Sequence, residues 1–169
     1  HYPLRRQRQM CIRDRALIFH DRRGHRIERY IVARKSLAPE YDVVVARLNL
    51  AVPEGVSHYP LAHTVRCGQS VLVTDQTLTA YVHCVYRISS QAIQLMHCND
   101  LPPLYAKNLV PGASGHPSFL WQNGRLELIE THTFGGPGAG PNYASPDLQS
   151  QIAQCVELLS PVSYTHLTL

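Results

Sequence analysis

Every apolar run in this chain is short, and most are closed by a proline, a glycine or a polar turn. Twelve prolines and ten glycines interrupt the 169 residues. Between these breaks, valine, isoleucine, threonine and tyrosine recur in the short stretches that read as strands. A chain so often interrupted has no room for a bundle of long helices, so its fold class is all-β. No apolar stretch approaches the ~18 residues of a membrane-spanning helix, and no membrane partner is expected.

Ala16–His20 and Arg26–Ala33 read as a hairpin around Asp21-Arg22-Arg23-Gly24, and Asp42–Leu48 as the next strand. Residues 51–66 are loop-rich, with Pro53, Gly55 and Pro60. Gln69–Thr74, Ala80–Ile88 and Ala92–Cys98 follow as strands, then a long loop over 99–111. Ser118–Trp121 and Leu126–Thr133 form a second hairpin across Asn123-Gly124. Gly135 to Pro141 is too rich in glycine and proline for a regular element. One helix is expected. Ser145 is its N-cap, Pro146 its first residue, and Leu148, Ile152, Cys155, Val156 and Leu159 share a face.

The formal charge of +4 misleads. Residues 1–15 hold five arginines and one aspartate and account for all of it, whereas 16–160 balance 11 basic against 11 acidic groups. A nucleic-acid partner is therefore not expected. His83-Cys84 and His97-Cys98 raise a metal question. Alternation along a strand turns each histidine and cysteine to opposite faces, and no C-x-x-C occurs, so no zinc site is expected. Cys84 and Cys98 are compatible with a disulfide or with two buried thiols. The thiol reading is the one taken here.

Candidate chemistry centres on Gly112-Ala113-Ser114-Gly115-His116-Pro117. A serine between glycines sits on a tight turn with its hydroxyl exposed and backbone N–H groups converging on one point. Acyl transfer needs that arrangement, with a nucleophile beside a receptor for the developing oxyanion. The second piece is Asp42, which opens the β-branched run Val43-Val44-Val45, where a carboxylate can orient a histidine.

Together these pieces resemble the trypsin/chymotrypsin-like serine peptidases, whose aspartate heads a D-φ-φ-φ-φ-x-L strand and whose serine sits in G-D-S-G-G-P or a G-x-S-G-x-P variant. The order Asp42 then Ser114 matches, and the 72-residue separation resembles the compact bacterial members, the glutamyl-endopeptidase-like branch. The resemblance spans roughly 16–160. It implies two six-stranded antiparallel β-barrels of chymotrypsin type, the first truncated, with a C-terminal helix. Residues 16–50 would be the remnant of the first barrel, 51–68 the connection, 69–145 the second barrel and 146–160 the helix. It also implies a serine endopeptidase acting on peptide or protein substrates without a cofactor or metal. Ser114 would be the nucleophile, Asp42 the orienting carboxylate, and the N–H groups of Gly112 and Ser114 the oxyanion hole. Asn108 stands where trypsin-like members carry a pocket aspartate. His132 and Thr133 end the strand that borders that pocket, and His132 would meet an acidic substrate side chain.

The sequence departs from the pattern in three places. Ala113 replaces the aspartate before the serine, which excludes activation through an ion pair to a new N-terminus. His116 replaces the second glycine of the motif and reads as a turn residue. The family's histidine motif upstream of the aspartate is absent. His20 is a weak substitute, so the base is expected upstream of Ala16. Residues 1–15 and 161–169 resemble translated sequencing-adapter sequence and are expected to be foreign scars on a fragment. The alternative function is a pseudoprotease of the same fold, acting as a binding or scaffold domain.

Overall fold

The computed structural model describes residues 16–160 except Arg22, Ala38, Glu40 and Leu78; both expected scars lie outside the described residues. The chain divides into two compact units. One gathers the chain up to Lys35, Val44–His58 and the chain from Cys155 on, and the other gathers Ser36–Val43 and Tyr59–Gln154.

The first unit contains a three-stranded sheet ordered β1-β2-β3, with β1 at Ala16–His20, β2 at Arg26–Ser36 and β3 at Val44–Leu48. The β1–β2 hairpin is antiparallel, with Ala16 opposite Tyr30 and His20 opposite Arg26. The Asp21 carboxylate closes its turn by accepting from the N–H groups of Arg23 and His25. Two strand boundaries differ from expectation. β2 runs on to Ser36, and β3 starts at Val44 because Asp42 has φ 49°, which no extended strand accommodates.

The second unit is a six-stranded sheet curled into a half-barrel. Its strands are β4 (Ser70–Thr74), β5 (Ala80–Ile88), β6 (Ala92–His97), β7 (Pro117–Gln122), β8 (Arg125–Thr131) and β9 (Ala139–Pro141), in the order β8-β7-β4-β5-β6-β9. The paired six-stranded barrels expected from the sequence are thus a three-stranded sheet and a half-barrel among the described residues. Strand β9 corrects the reading of 135–141 as purely irregular. Alternate residues fill the concave core, Val71 and Val73 from β4, Tyr81 and Val85 from β5, Ile93 and Leu95 from β6, each nine-tenths buried or more.

A β-bulge interrupts the β7–β8 ladder. Ser118 pairs with Glu130 and the next residue, Phe119, with Leu128, so Ile129 is the extra residue. The bulge changes the phase of burial along β8. Glu127 is buried before it, Ile129 at it, and Glu130 and, just past the strand, His132 after it. The second core cluster joins Tyr41, Tyr143 and Leu148, with Ile152 packed against it. Helix α1 spans Pro146–Leu159. Its buried stripe holds Leu148 and Cys155, whereas Val156, expected on the same face, is exposed.

The thiol reading of Cys84 and Cys98 is overturned. The two form a disulfide with Cα atoms 5.2 Å apart. His83 stands opposite His97 in the β5–β6 register. The period of two that puts both histidines on one face puts both cysteines on the other, within bonding reach. A crosslink closing a loop of this length constrains the unfolded chain. Replacing both cysteines by alanine is expected to cost about 3 kcal/mol in urea unfolding. A loss under about 0.5 kcal/mol would show that the crosslink contributes nothing to stability.

Candidate active site

Two consecutive tight turns carry Ser114. In the first, the Ala113 N–H donates to the Val110 carbonyl at 3.1 Å, with Pro111 and Gly112 at the corners. In the second, the His116 N–H donates to the Ala113 carbonyl at 3.1 Å, with Ser114 and Gly115 at the corners. Gly112 has φ 103° and Gly115 φ 87°, values that a side chain would strain. Ala113, between the turns, is 2 % exposed and packs into the half-barrel core, so the loop is pinned at its centre and Ser114 is left exposed.

Three further bonds hold the loop. The Gly115 N–H donates to the His132 carbonyl at 2.8 Å, the His132 N–H to the His116 carbonyl at 3.0 Å, and the Gln76 side-chain amide to the Pro111 carbonyl at 3.2 Å. Among the described residues, no carbonyl accepts from the N–H groups of Gly112 or Ser114, and the Ser114 hydroxyl bonds to no side chain. Two unengaged donors two residues apart, beside an exposed hydroxyl, are the ingredients of an oxyanion receptor.

Asp42 belongs to the same unit as Ser114. It is exposed, and follows Tyr41, which is buried at 4 % exposure. The Leu37 N–H donates to the Val43 carbonyl at 2.9 Å and closes the bend around it. Burial raises the Tyr143 phenol above its ordinary pKa. The charges of Glu130 and Asp42 push it the same way, against a hydrogen bond from Thr131. The Asp42 carboxylate therefore lies within electrostatic reach of Tyr143. The Tyr143 hydroxyl is 3.1 Å from Thr131 Oγ1, one residue before the His132 backbone that anchors the serine loop.

Two of the residues expected to border a substrate pocket lie beside backbone bonds to the Gly135–Pro141 segment. Asn108 is exposed, and its neighbour Leu109 donates through N–H to the Gly136 carbonyl at 2.8 Å. Thr133 is half-buried and donates from N–H to the Ala139 carbonyl at 2.8 Å. His132 departs from expectation. Its side chain is 1 % exposed, with Nε2 3.0 Å from the Thr74 carbonyl and Nδ1 2.9 Å from Oε1 of the fully buried Glu130. The ring meets an internal carboxylate, so it presents no positive charge to solvent.

Among the described residues, no imidazole hydrogen-bonds to Ser114. His20 is an exposed residue of β1 in the other unit. The His116 Nδ1 lies 3.2 Å from the Ala113 carbonyl. Nor do three His, Cys, Asp or Glu side chains gather to hold a metal among the described residues.

Sequence reasoning missed two acids here. Asp75, 2 % exposed, lies beneath the loop. Burial alone would raise its pKa, but bonds from the Thr77 hydroxyl and N–H and the charges of Lys107 and His116 hold it below the ordinary carboxylate value. Its signal was the Asx turn Asp75-Gln76-Thr77. Glu130 had no local signal, because the bulge that buries it depends on pairing with β7.

His83 anchors the far side of the Gly135–Pro141 loop. It is fully buried, and its Nδ1–H donates to the Pro137 carbonyl at 2.7 Å. Burial lowers its pKa, reinforced by nearby His97 and His132, although the Pro137 bond opposes the shift. The folded state thus disfavours a proton that the unfolded chain accepts near pH 6.5. Stability is expected to be flat with respect to this group above that pH and to fall as pH drops toward the depressed folded value. Urea unfolding at pH 7.5 and 5 should show the loss, and His83→Gln should flatten it. An unchanged slope in that variant would assign the loss to other groups.

No protein-family model matches this chain, and no curated protein is significantly similar to it.

Proposed function

We propose that this chain carries the nucleophile, oxyanion hole and orienting aspartate of a chymotrypsin-type serine endopeptidase. The general base is a histidine outside the described residues. One observation carries the reading. Ser114 stands exposed on paired glycine turns, with the Gly112 and Ser114 N–H groups unengaged, in the unit that also holds Asp42. In the proposed reaction the histidine takes the Ser114 proton as Oγ attacks the scissile carbonyl. The two N–H groups receive the oxyanion, the histidine protonates the leaving amine, and water then releases the acyl group.

The exposed Asn108 offers a substrate side chain no negative charge, which argues against arginine or lysine before the scissile bond. The buried His132–Glu130 pair leaves the acidic preference without its cation, so small uncharged side chains fit best. The second reading, a pseudoprotease, is favoured by the lack of any described imidazole bonded to Ser114.

The test uses this chain and a version extended upstream to include a histidine roughly 25–45 residues before Asp42. The extended protein should cleave a broad peptide library and take a serine-directed phosphonate on Ser114, whereas the present chain should do neither efficiently. An extended, folded protein that contains the histidine yet neither cleaves nor takes the label establishes the pseudoprotease.

A further inference from the structure

The turn that carries the Gly112 N–H can close in two ways. Val110 to Ala113 form it, with the Ala113 N–H on the Val110 carbonyl at 3.1 Å, Pro111 second and Gly112 third. Type I and type II turns share that closing bond. They differ by a rotation of about 180° of the middle peptide, and of the two only type II has a positive φ at the third residue. Proline at the second position suits both types, and glycine at the third accepts either sign of φ. Sequence and closing bond therefore leave the orientation of the Pro111–Gly112 peptide open. The orientation matters, because the Gly112 N–H belongs to this peptide and reverses with it.

The structure holds the type II form, with Gly112 at φ 103°. One contact selects it. The Gln76 side-chain amide donates to the Pro111 carbonyl at 3.2 Å, the only hydrogen bond of the Pro111–Gly112 peptide among the described residues. The amide lies over the glycine, where a Cβ would come 3.4 Å from Gln76 Nε2. In a trans peptide the C=O and N–H point in opposite directions, so a carbonyl held by Gln76 turns the Gly112 N–H away from that side chain. The same bond polarises the peptide and strengthens its N–H as a donor.

Gln76 is brought to this place by the end of β4. The Thr74 hydroxyl donates to the Pro117 carbonyl at 2.6 Å, and the Thr74 carbonyl faces Nε2 of His132 at 3.0 Å. Asp75, 2 % exposed, then accepts from the Thr77 N–H at 2.8 Å and from the Thr77 hydroxyl, closing an Asx turn with Gln76 at its middle. The backbone anchors of the serine loop, at Ala113, Gly115 and His116, do not involve the Pro111–Gly112 peptide. We infer that Gln76 is a positioning residue. Its amide holds that peptide in the type II orientation and so presents the Gly112 N–H as an oxyanion donor. The use of the donor rests on the peptidase reading above, whereas the orientation does not.

The test compares Gln76→Ala and Gln76→Glu with the parent, by NMR in the present chain and by kinetics in the extended protein. Gln76 is exposed, so both replacements should leave the fold intact, and thermal unfolding checks this. A type II turn brings the Pro111 Hα close to the Gly112 N–H and a type I turn separates them, so the NOE between these protons reads the orientation. It should be strong in the parent and several-fold weaker in both variants, since a carboxylate at neutral pH has no proton to donate. In the extended protein both variants should lower kcat by about tenfold or more and slow phosphonate labelling in step. KM should change by less than about twofold, as befits a donor used in the transition state. An NOE that is weak in the parent, or unchanged in either variant, overturns the inference. So does an active extended protein in which the turn reorients without loss of kcat. An extended parent that neither cleaves nor takes the label refutes the peptidase reading instead, and the NOE then decides the role of Gln76 by itself.

Discussion

Ser114→Ala is expected to abolish phosphonate labelling and to lower peptide hydrolysis by on the order of ten-thousand-fold or more in the extended protein. On the proposed reading the hydroxyl forms the acyl-enzyme, so its loss would leave only binding and the proposed oxyanion receptor. Removing Ser114 leaves the fold alone, because the residue is exposed and makes no side-chain bond. Asp42→Asn tests a separate element. It keeps the shape but removes the charge proposed to orient and stabilise the imidazolium, and should cost about 10⁴-fold in kcat with unchanged labelling position. The two effects should not add, since both disable one proton-transfer unit. Full hydrolysis by the Ser114→Ala protein, with the label on another residue, would remove Ser114 from the chemistry. An Asp42→Asn protein as active as its parent would leave Asp42 as a turn residue only.

Gly140→Ala is expected to be the most damaging single methyl in the second unit. A Cβ at Gly140 would fall on the Thr131 carbonyl oxygen and on Glu130 Oε2. The first is backbone of a paired strand. The second belongs to a fully buried carboxylate fixed against His132, so neither yields cheaply. Overpacking of this kind, against backbone and a fully buried polar side chain, should cost more than about 3 kcal/mol. Gly135→Ala, a few residues away, is the control. A Cβ there meets nothing within 4 Å, so the change should fall within about 1 kcal/mol of zero. Urea unfolding of the two proteins decides the matter, and equal stabilities would mean that the close approach of β9 to β8 is not maintained in solution.

The links between these predictions run through His132. Its backbone holds the serine loop at Gly115 and His116, and its ring lies against Glu130, whose carboxylate fills, with the Thr131 carbonyl, the space that Gly140 leaves open. An alanine at Gly140 should therefore also disturb the Ser114 loop. Any activity lost beyond the unfolded fraction would register that coupling.

The sequence by itself determined the features that are local. Five of the six half-barrel strands were legible because alternating β-branched residues between turn formers favour extended backbone at short range. The helix was legible from Pro146 and the spacing of Leu148, Ile152 and Cys155. The serine turn was legible because Gly112 and Gly115 occupy backbone angles that other residues strain to adopt. Tertiary structure alone decided what depends on a partner strand. The bulge at Ile129 exists only in the β7–β8 pairing, and a single inserted residue reverses which side chains face inward. It turned His132 from an expected pocket cation into half of a buried pair with Glu130. The same dependence made β9 from a loop-like run, because Gly140 is needed for an approach visible only once β8 is beside it. It also joined Cys84 to Cys98, because only the β5–β6 register brings their sulfurs together. Local preference falls within a few residues, whereas register, burial phase and crosslinking are properties of pairs of segments far apart in the chain.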